Sequence, residues 1–347
     1  MAKRVNSIDI LKIIATVMIV FHHYQQVTET QFVHINFYGG KFYFGYLVEF
    51  FFMVSGFWMC SYIERIPKEI SFVKYYIKRA TRLLPMVAIS ALFYEVFIVI
   101  YMQLYKMPWK GQGVTLWGYI TTALGIQEGW GIANSMVNSP TWYVSVLMWC
   151  YILLYFICYI CWRMNWRPVY AFLCMIFIGI GVQTYAINLP FLNSQMARGY
   201  YSFFAGLLLA ILIPRIQHKR RVNIISAIVI ILFASIILVD RSVVDTGINY
   251  LLVFLIYPSM IILCINSAWG KRITSCIVTE LANISFNVYV WHAVFFILVD
   301  ILRGLGMITI NIHSFASMCI YTLFMYVFGG ISYYLIDKPI SRLLKNM

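Results

Sequence analysis

The sequence predicts an all-α, polytopic membrane protein with about ten transmembrane helices and both termini in the cytoplasm. Three observations predict it. Of 347 residues, 62% are hydrophobic and 11% charged, with a mean hydropathy of +0.81, whereas soluble proteins are about 45–50% apolar and about 25% charged. Apolar runs of the ~20 residues that a membrane helix needs recur along the whole chain. Lys and Arg fall on alternate sides of those runs, as the positive-inside rule requires. This composition excludes a soluble enzyme, a disordered chain and a nucleic-acid-binding domain. The net charge of +14 therefore belongs to cytoplasmic loops and not to a polyanion-binding surface.

The elements follow in order. Lys3 and Arg4 lie inside and precede the first span, 8–26. Lys41 lies outside, before the second span, 42–63. Arg65, Lys68, Lys74, Lys78, Arg79 and Arg82 form the largest inner cluster and lead into the third span, 84–105. Lys106 and Lys110 are outside, and the fourth span, 141–162, returns the chain to Arg163 and Arg167. The fifth span is 168–187. Arg198 lies outside, ahead of a short sixth span, 199–213. Arg215, Lys219, Arg220 and Arg221 are inside, followed by the seventh span, 222–240. Arg241 is outside before the eighth, 248–268, and Lys271 and Arg272 are inside before the ninth, 284–302. Arg303 is outside before the tenth, 313–336, and Lys338, Arg342 and Lys345 close the chain inside. Nineteen cations fall inside against six outside, with Lys12 within the first span. That imbalance sets the orientation.

Several common readings are set aside. The first span ends in FHHYQQ and lacks the small-residue pattern of a cleaved signal peptide. Cys158 and Cys161 form a C-x-x-C, but it lies inside YILLYFICYICW and reads as small apolar filling on a membrane helix. The eight cysteines imply no disulfide framework, and the six histidines show no metal-ligand spacing. No repeat of 20–50 residues is visible, and no paired broken helices point to a transporter. The chain reads as one transmembrane domain over 1–347. The longest loop, about 106–140, is external; it holds Trp109, Trp117, Glu128 and Trp130, and its stretch 114–126 is apolar enough to dip into the bilayer.

Ionisable residues inside a span are costly and are site candidates for that reason. The first helix, SIDILKIIATVMIVFHHY, carries Asp9, Lys12, His22 and His23. Eleven residues at ~100° each return Lys12 and His23 to one face, about 16 Å apart along the axis. Asp9 is three residues before Lys12 and within pairing reach on that face. The other reading of this stripe is a snorkelling Lys12 and a His22–His23 pair in the outer headgroup layer. Arg79 and Arg82 share a helical face before the third span and suit bidentate phosphate binding, although positive-inside loops produce the same spacing. Ser285, Tyr289 and His292 recur at i, i+4 and i+7 in NISFNVYVWH, one polar face on an apolar helix, equally consistent with a buried histidine bonded to its neighbour. Glu49, Glu95 and Asp300 lie in or beside spans, with partners that the sequence does not name.

Taken together these pieces resemble the acyltransferase 3 family of bacterial membrane proteins. Lys12-x10-His23 is similar to that family's first-helix Arg-x10-His. Phe51-Phe52-Met53-Val54-Ser55-Gly56-Phe57 is similar to its FFxxSGF. Arg79-Ala80-Thr81-Arg82-Leu83-Leu84-Pro85 resembles its Arg-x-x-Arg and proline. Trp142-Tyr143 resembles its W-F/Y-L segment, Ser285–Tyr289–His292 its S-x3-Y-x2-H, and Asp337-Lys338-Pro339 its final E/D-x-P. The landmarks run in order from residue 9 to 339. Lys12 departs from the usual Arg, keeping the charge but losing bidentate geometry. Leu147 stands where many members acting on peptidoglycan or lipopolysaccharide have Glu, and there is no fused SGNH-type domain.

The resemblance implies a multi-pass protein of the bacterial cell (inner) membrane that moves an acetyl group from cytosolic acetyl-CoA to a hydroxyl of a cell-surface or lipid-linked polysaccharide. It implies His23 as general base on the sugar hydroxyl, or as a transient acyl carrier. Lys12, oriented by Asp9, would hold the donor or stabilise developing charge. Arg79 and Arg82 would take the CoA phosphates. His292, Trp142 and Trp130 are the expected substrate-side residues; Trp109, Trp117 and Trp130 could stack on sugar rings, although interfacial anchoring is the commoner use of such tryptophans. A transporter or flippase of a lipid-linked glycan, and an acylase of a small molecule or protein, are the alternatives.

Overall fold

The computed structural model describes residues 5–33, 35–129, 137–216, 219–240, 247–266 and 276–344. All ten predicted spans are helical: α1 Asn6–Thr28, α2 Phe44–Tyr62, α3 Phe72–Tyr105, α4 Ser139–Arg163, α5 Pro168–Thr184, α6 Ser194–Ile216, α7 Arg220–Val239, α8 Ile248–Asn266, α9 Cys276–Gly304 and α10 Phe315–Leu343. Nine of these are long and apolar enough to cross a membrane, and α5, at 17 residues, is the short one. Among the described residues there is no strand. A backbone that must satisfy its own polar groups in lipid has only the helix or the closed barrel available.

Two boundaries differ from the sequence reading. The sixth helix is not short but runs 23 residues. Its first turns carry Ser194, Gln195 and Arg198, which dilute the apolar run; Arg198 finds Glu49 inside the bundle, while Gln195 accepts from Arg198 and the exposed Ser194 donates to Gln183. Asn193 starts the helix, its Oδ1 accepting from the Met196 amide at 2.9 Å. The third helix begins twelve residues before 84, at Phe72, where the Ser71 hydroxyl accepts from the Lys74 amide at 3.4 Å. Pro85 is carried inside it. The basic cluster from Lys74 to Arg82 is thus an inner extension of α3.

Helices α6 and α9 are mostly buried and form the centre, while α7, exposed or half-buried except at Ser226 and Ile237, lies at the periphery. Helices α2 and α6 cross backbone against backbone. A Cβ on Gly56 would collide with the Phe203 carbonyl oxygen, and one on Gly206 with that of Met53. Small residues let membrane helices approach backbone to backbone, which gives the Ser55-Gly56-Phe57 segment a structural reason.

Hydrogen bonds between distant segments agree with the alternation read from charge. On the outer side Tyr24 donates to the Ile312 carbonyl at 2.8 Å and Thr30 pairs with His313 at 2.9 Å. On the inner side Ser7 donates to the Cys264 carbonyl at 2.9 Å, and Asn266 to Asn223 at 2.7 Å. The loop stretch 114–126 contains a helix, Leu116–Ala123, packed against α3. The Thr115 amide at its start donates to Glu95 at 3.1 Å.

Candidate active site

Two adjacent histidines at the outer end of α1 meet different surroundings. His22 is 2% exposed. Its Nδ1–H donates to the Phe37 carbonyl at 2.9 Å, and the rings of Tyr38 and Tyr43 stand edge-on to it. One residue is ~100° of helix, and that rotation brings His23 out of the packed loop and towards α9. His23 keeps part of its surface open and lies with its ring centroid 5.1 Å from that of His292. Its Nδ1 pairs with the Gln26 side-chain oxygen at 2.9 Å. An amide oxygen only accepts, so Nδ1 carries the proton and Nε2 the lone pair.

The same reasoning applies to His292, which is 0% exposed. Its Nδ1 bonds the Tyr289 carbonyl at 2.6 Å, and since a carbonyl only accepts, Nε2 is again unprotonated. That Nε2 is buried with no partner. Hydrogen bonds at Tyr289 and Tyr321 hold the ring in place. The Tyr321 hydroxyl donates to the His292 carbonyl, and the Tyr289 hydroxyl to the Pro140 carbonyl at the start of α4. Asn138 adds a second tie, donating to Ser90 at 3.1 Å and to the Val290 carbonyl at 2.9 Å. The sequence paired Ser285 with this face, but its hydroxyl turns back to the Leu281 carbonyl at 2.8 Å. Tyr289 and His292 are the members of that stripe that reach the site.

Trp142, 9% exposed, lies at the first turn of α4 under the Arg198 guanidinium, 4.9 Å from ring centroid to Cζ. Arg198 also makes a two-pronged pair with Glu49 at 2.6 and 2.8 Å and reaches the Gly45 carbonyl at 2.8 Å. Glu49 thereby acquires the partner that the sequence left unnamed, and Arg198 is more than an outer-loop cation. Trp109 is likewise held within the fold, its Nε1–H donating to Asp300 at 2.8 Å. Trp130 lies outside the described residues.

Near the inner end of α1, Asp9 is 5% exposed and pairs with Lys12 at 3.1 Å, as the three-residue spacing predicts. The two arginines of the inner cluster part company. Arg82 is exposed, whereas Arg79 is 7% exposed and folded among the rings of Tyr75 and Tyr62, with its Nη1 on the Tyr75 carbonyl at 2.6 Å. It lines a cavity of about 150 Å³ with Arg65, Lys74 and Lys78. Sequence reasoning read those three as topology signals only and did not foresee that they share a cavity with Arg79.

One further buried carboxyl lies outside the helices. Burial pushes Glu128 up to about 7 from its ordinary 4.5. Its backbone is fixed by Ser145 at 3.2 Å and Asn193 at 3.0 Å, while its Oε1 is buried without a partner.

The geometry thus offers two unprotonated imidazole nitrogens at the outer side and a cluster of cations at the inner side of one helical bundle. No curated protein and no solved structure matches the chain. A family model described as an acyltransferase domain matches residues 5–344, a stretch that holds His23, His292, the Arg79–Arg82 turn and the Asp337-Lys338-Pro339 segment, and the chain therefore belongs to the acyltransferase 3 family and is a multi-pass membrane acyltransferase.

Proposed function

We propose that this acyltransferase moves an acetyl group from cytosolic acetyl-CoA to a hydroxyl of a cell-surface or lipid-linked polysaccharide at the bacterial cell membrane, with His23 as the general base. The observation that carries this reading is the His23–His292 pair. His23 offers an unprotonated Nε2 on an open face, and His292 places a second, buried and unpartnered Nε2 beside it. Both nitrogens accept hydrogen bonds, which suits a ligand presenting hydroxyl groups.

In the proposed reaction His23 Nε2 takes the proton of the attacking hydroxyl while its oxygen bonds to the thioester carbonyl carbon. The C–S bond then breaks, and the imidazolium returns the proton to the departing CoA sulfur. His292 holds the acceptor. Arg79 and Arg82 take the donor's phosphates at the inner face, and Lys12, steadied by Asp9, stabilises charge along the path of the acyl arm. The ~16 Å between Lys12 and His23 along α1 is a span an extended pantetheine arm covers.

The test compares surface glycans by proton NMR and mass spectrometry from three strains of the host: lacking the protein, restored with it, and restored with His23→Ala. An O-acetyl signal that only the intact protein returns supports the proposal. Unchanged acetylation with reduced glycan export would replace it with transport.

A further inference from the structure

We propose that the cleft between the outer ends of α3 and α9 is a sugar-ring subsite, which holds a second unit of the acceptor glycan while the reacting unit lies at His23. Tyr101, Tyr105, Trp109, Lys110, Asp300 and Arg303 line it, and its volume is about 490 Å³. The inference deepens the acceptor side of the proposed function and rests on it.

Size and lining both match a small-molecule site, since such sites run from about 300 to 1,000 Å³ and combine aromatic walls with a few fixed polar groups. Tyr101 and Tyr105 supply the aromatic wall, their ring centroids 4.6 Å apart and their planes tilted by 49°. The Tyr105 hydroxyl donates to the Ile301 carbonyl at 3.1 Å, which ties this wall to α9. Gly304 makes the approach possible, because a Cβ there would collide with that hydroxyl. A pyranose presents C–H bonds on its faces and hydroxyls around its rim. The electron-rich faces of the tyrosines suit the first, and the polar groups of the cleft suit the second.

Those polar groups offset one another in charge. Arg303 lies 3.8 Å from Asp300 Oδ1, and Lys110 lies 3.8 Å from the exposed Glu29. Both separations exceed hydrogen-bond length, so these groups keep donor and acceptor capacity for a ligand. A hydroxyl both donates and accepts and fits such a mixture, whereas an anionic headgroup would meet the Asp300 carboxylate. Trp109 is buried and donates to Asp300 Oδ2 at 2.8 Å; it fixes the carboxylate and leaves stacking to the tyrosines. Lys110 is set by its backbone. Its φ of 47° lies in the left-handed region that few residues other than glycine adopt, in a turn closed by the Gln112 amide on the Trp109 carbonyl at 2.8 Å.

Position along α9 sets the reach. Asp300 is eight residues beyond His292, or about 12 Å along the axis. Arg303 is eleven beyond it, about 16 Å farther out and within about 20° of the same face. A single sugar ring is shorter than either distance. The acceptor is therefore a chain of sugar units, with one unit in the cleft and another between His23 and His292.

The test is calorimetric titration of the full-length protein in nanodiscs of zwitterionic lipid. The probe is surface glycan from the host strain lacking this protein, hydrolysed and separated into monosaccharides and oligosaccharides. The wild type is expected to bind the oligosaccharides at least tenfold more tightly than the monosaccharides. Tyr101→Ala, and separately Arg303→Gln, should weaken oligosaccharide binding at least tenfold at an unchanged unfolding temperature. Tyr101→Phe keeps the ring and should restore the affinity. Oligosaccharide binding that neither Tyr101→Ala nor Arg303→Gln weakens, or equal wild-type affinity for both fractions, overturns the subsite and leaves the glycan reading in place. No binding of either fraction by the wild type overturns the glycan reading together with the subsite. If phosphatidylglycerol added to the nanodiscs abolishes the difference between wild type and Arg303→Gln, the cleft holds a lipid headgroup and the inference falls.

Discussion

Replacing His23 with Ala removes an imidazole that keeps open surface and faces His292, and general-base loss typically costs 10²–10⁴-fold in rate. We expect acyl transfer to fall by at least ~100-fold with folding unchanged. His22→Ala acts elsewhere: it removes the shorter of two hydrogen bonds to the Phe37 carbonyl, the other coming from the Phe44 amide, and opens the packing against Tyr38 and Tyr43, so it should lower thermal stability first. Comparing the melting temperature and transfer rate of the two purified variants separates them. Loss of transfer on His22→Ala alone, with unchanged melting, would reverse the assignment. Glu128 supports a pH prediction of its own. Its folded value of about 7 lies above the ordinary 4.5, so the folded state holds the proton more tightly. Its contribution is therefore full below pH 4.5 and is lost as pH rises to about 7. The shift corresponds to about 3 kcal/mol. Glu128→Gln should flatten that decline between pH 5 and 8, measured as thermal unfolding in detergent; an unchanged slope would exclude Glu128 as its source.

At the scale of elements, the α2–α6 crossing is the contact with least tolerance. A methyl at Gly56 or Gly206 meets a carbonyl oxygen of the partner helix, and neither backbone has room to yield without separating the helices. Overpacking of this kind costs about 1–3 kcal/mol. Gly56→Ala should lower the unfolding temperature of the solubilised protein and weaken activity, because α2 also carries Glu49, which holds Arg198 over Trp142. Gly181→Ala in α5 is the control, since its Cβ would meet nothing within 4 Å, and helix propensity favours Ala by up to about 1 kcal/mol. Equal effects of the two substitutions would show that close approach is not what Gly56 provides.

For the whole molecule, the bundle separates two chemistries across the bilayer. The His23–His292 pair lies at the side assigned outside by charge, and the cation cluster around Arg79, to which we assign the donor's phosphates, at the side assigned inside. That arrangement fits an enzyme whose donor is cytosolic and whose acceptor is external. The orientation has a direct check. In a background without native cysteines, Lys110→Cys should react with a membrane-impermeant maleimide in intact cells, and Lys68→Cys only after permeabilisation. The opposite pattern would invert the protein and place His23 in the cytoplasm.

The sequence by itself determined the helices, their alternation and the neighbours along each helix. Apolar runs and cation placement are local quantities, and lipid forces any such run into a helix. The Asp9–Lys12 pair was legible for the same reason, because helical spacing alone brings the two together. Boundaries were less so: the start of α6 reads as polar, and its polarity is met by groups distant in the chain, Glu49 to Arg198 among them. What only the tertiary structure decided is which residues from different helices share a site. Nothing local distinguishes His22 from His23; the loop bearing Phe37 covers one and His292, far along the chain, faces the other. Likewise the turn of α3 separates Arg79 from Arg82 only because Tyr62 and Tyr75 surround the first. Spacing along a helix fixes direction, and packing between helices decides what lies in that direction.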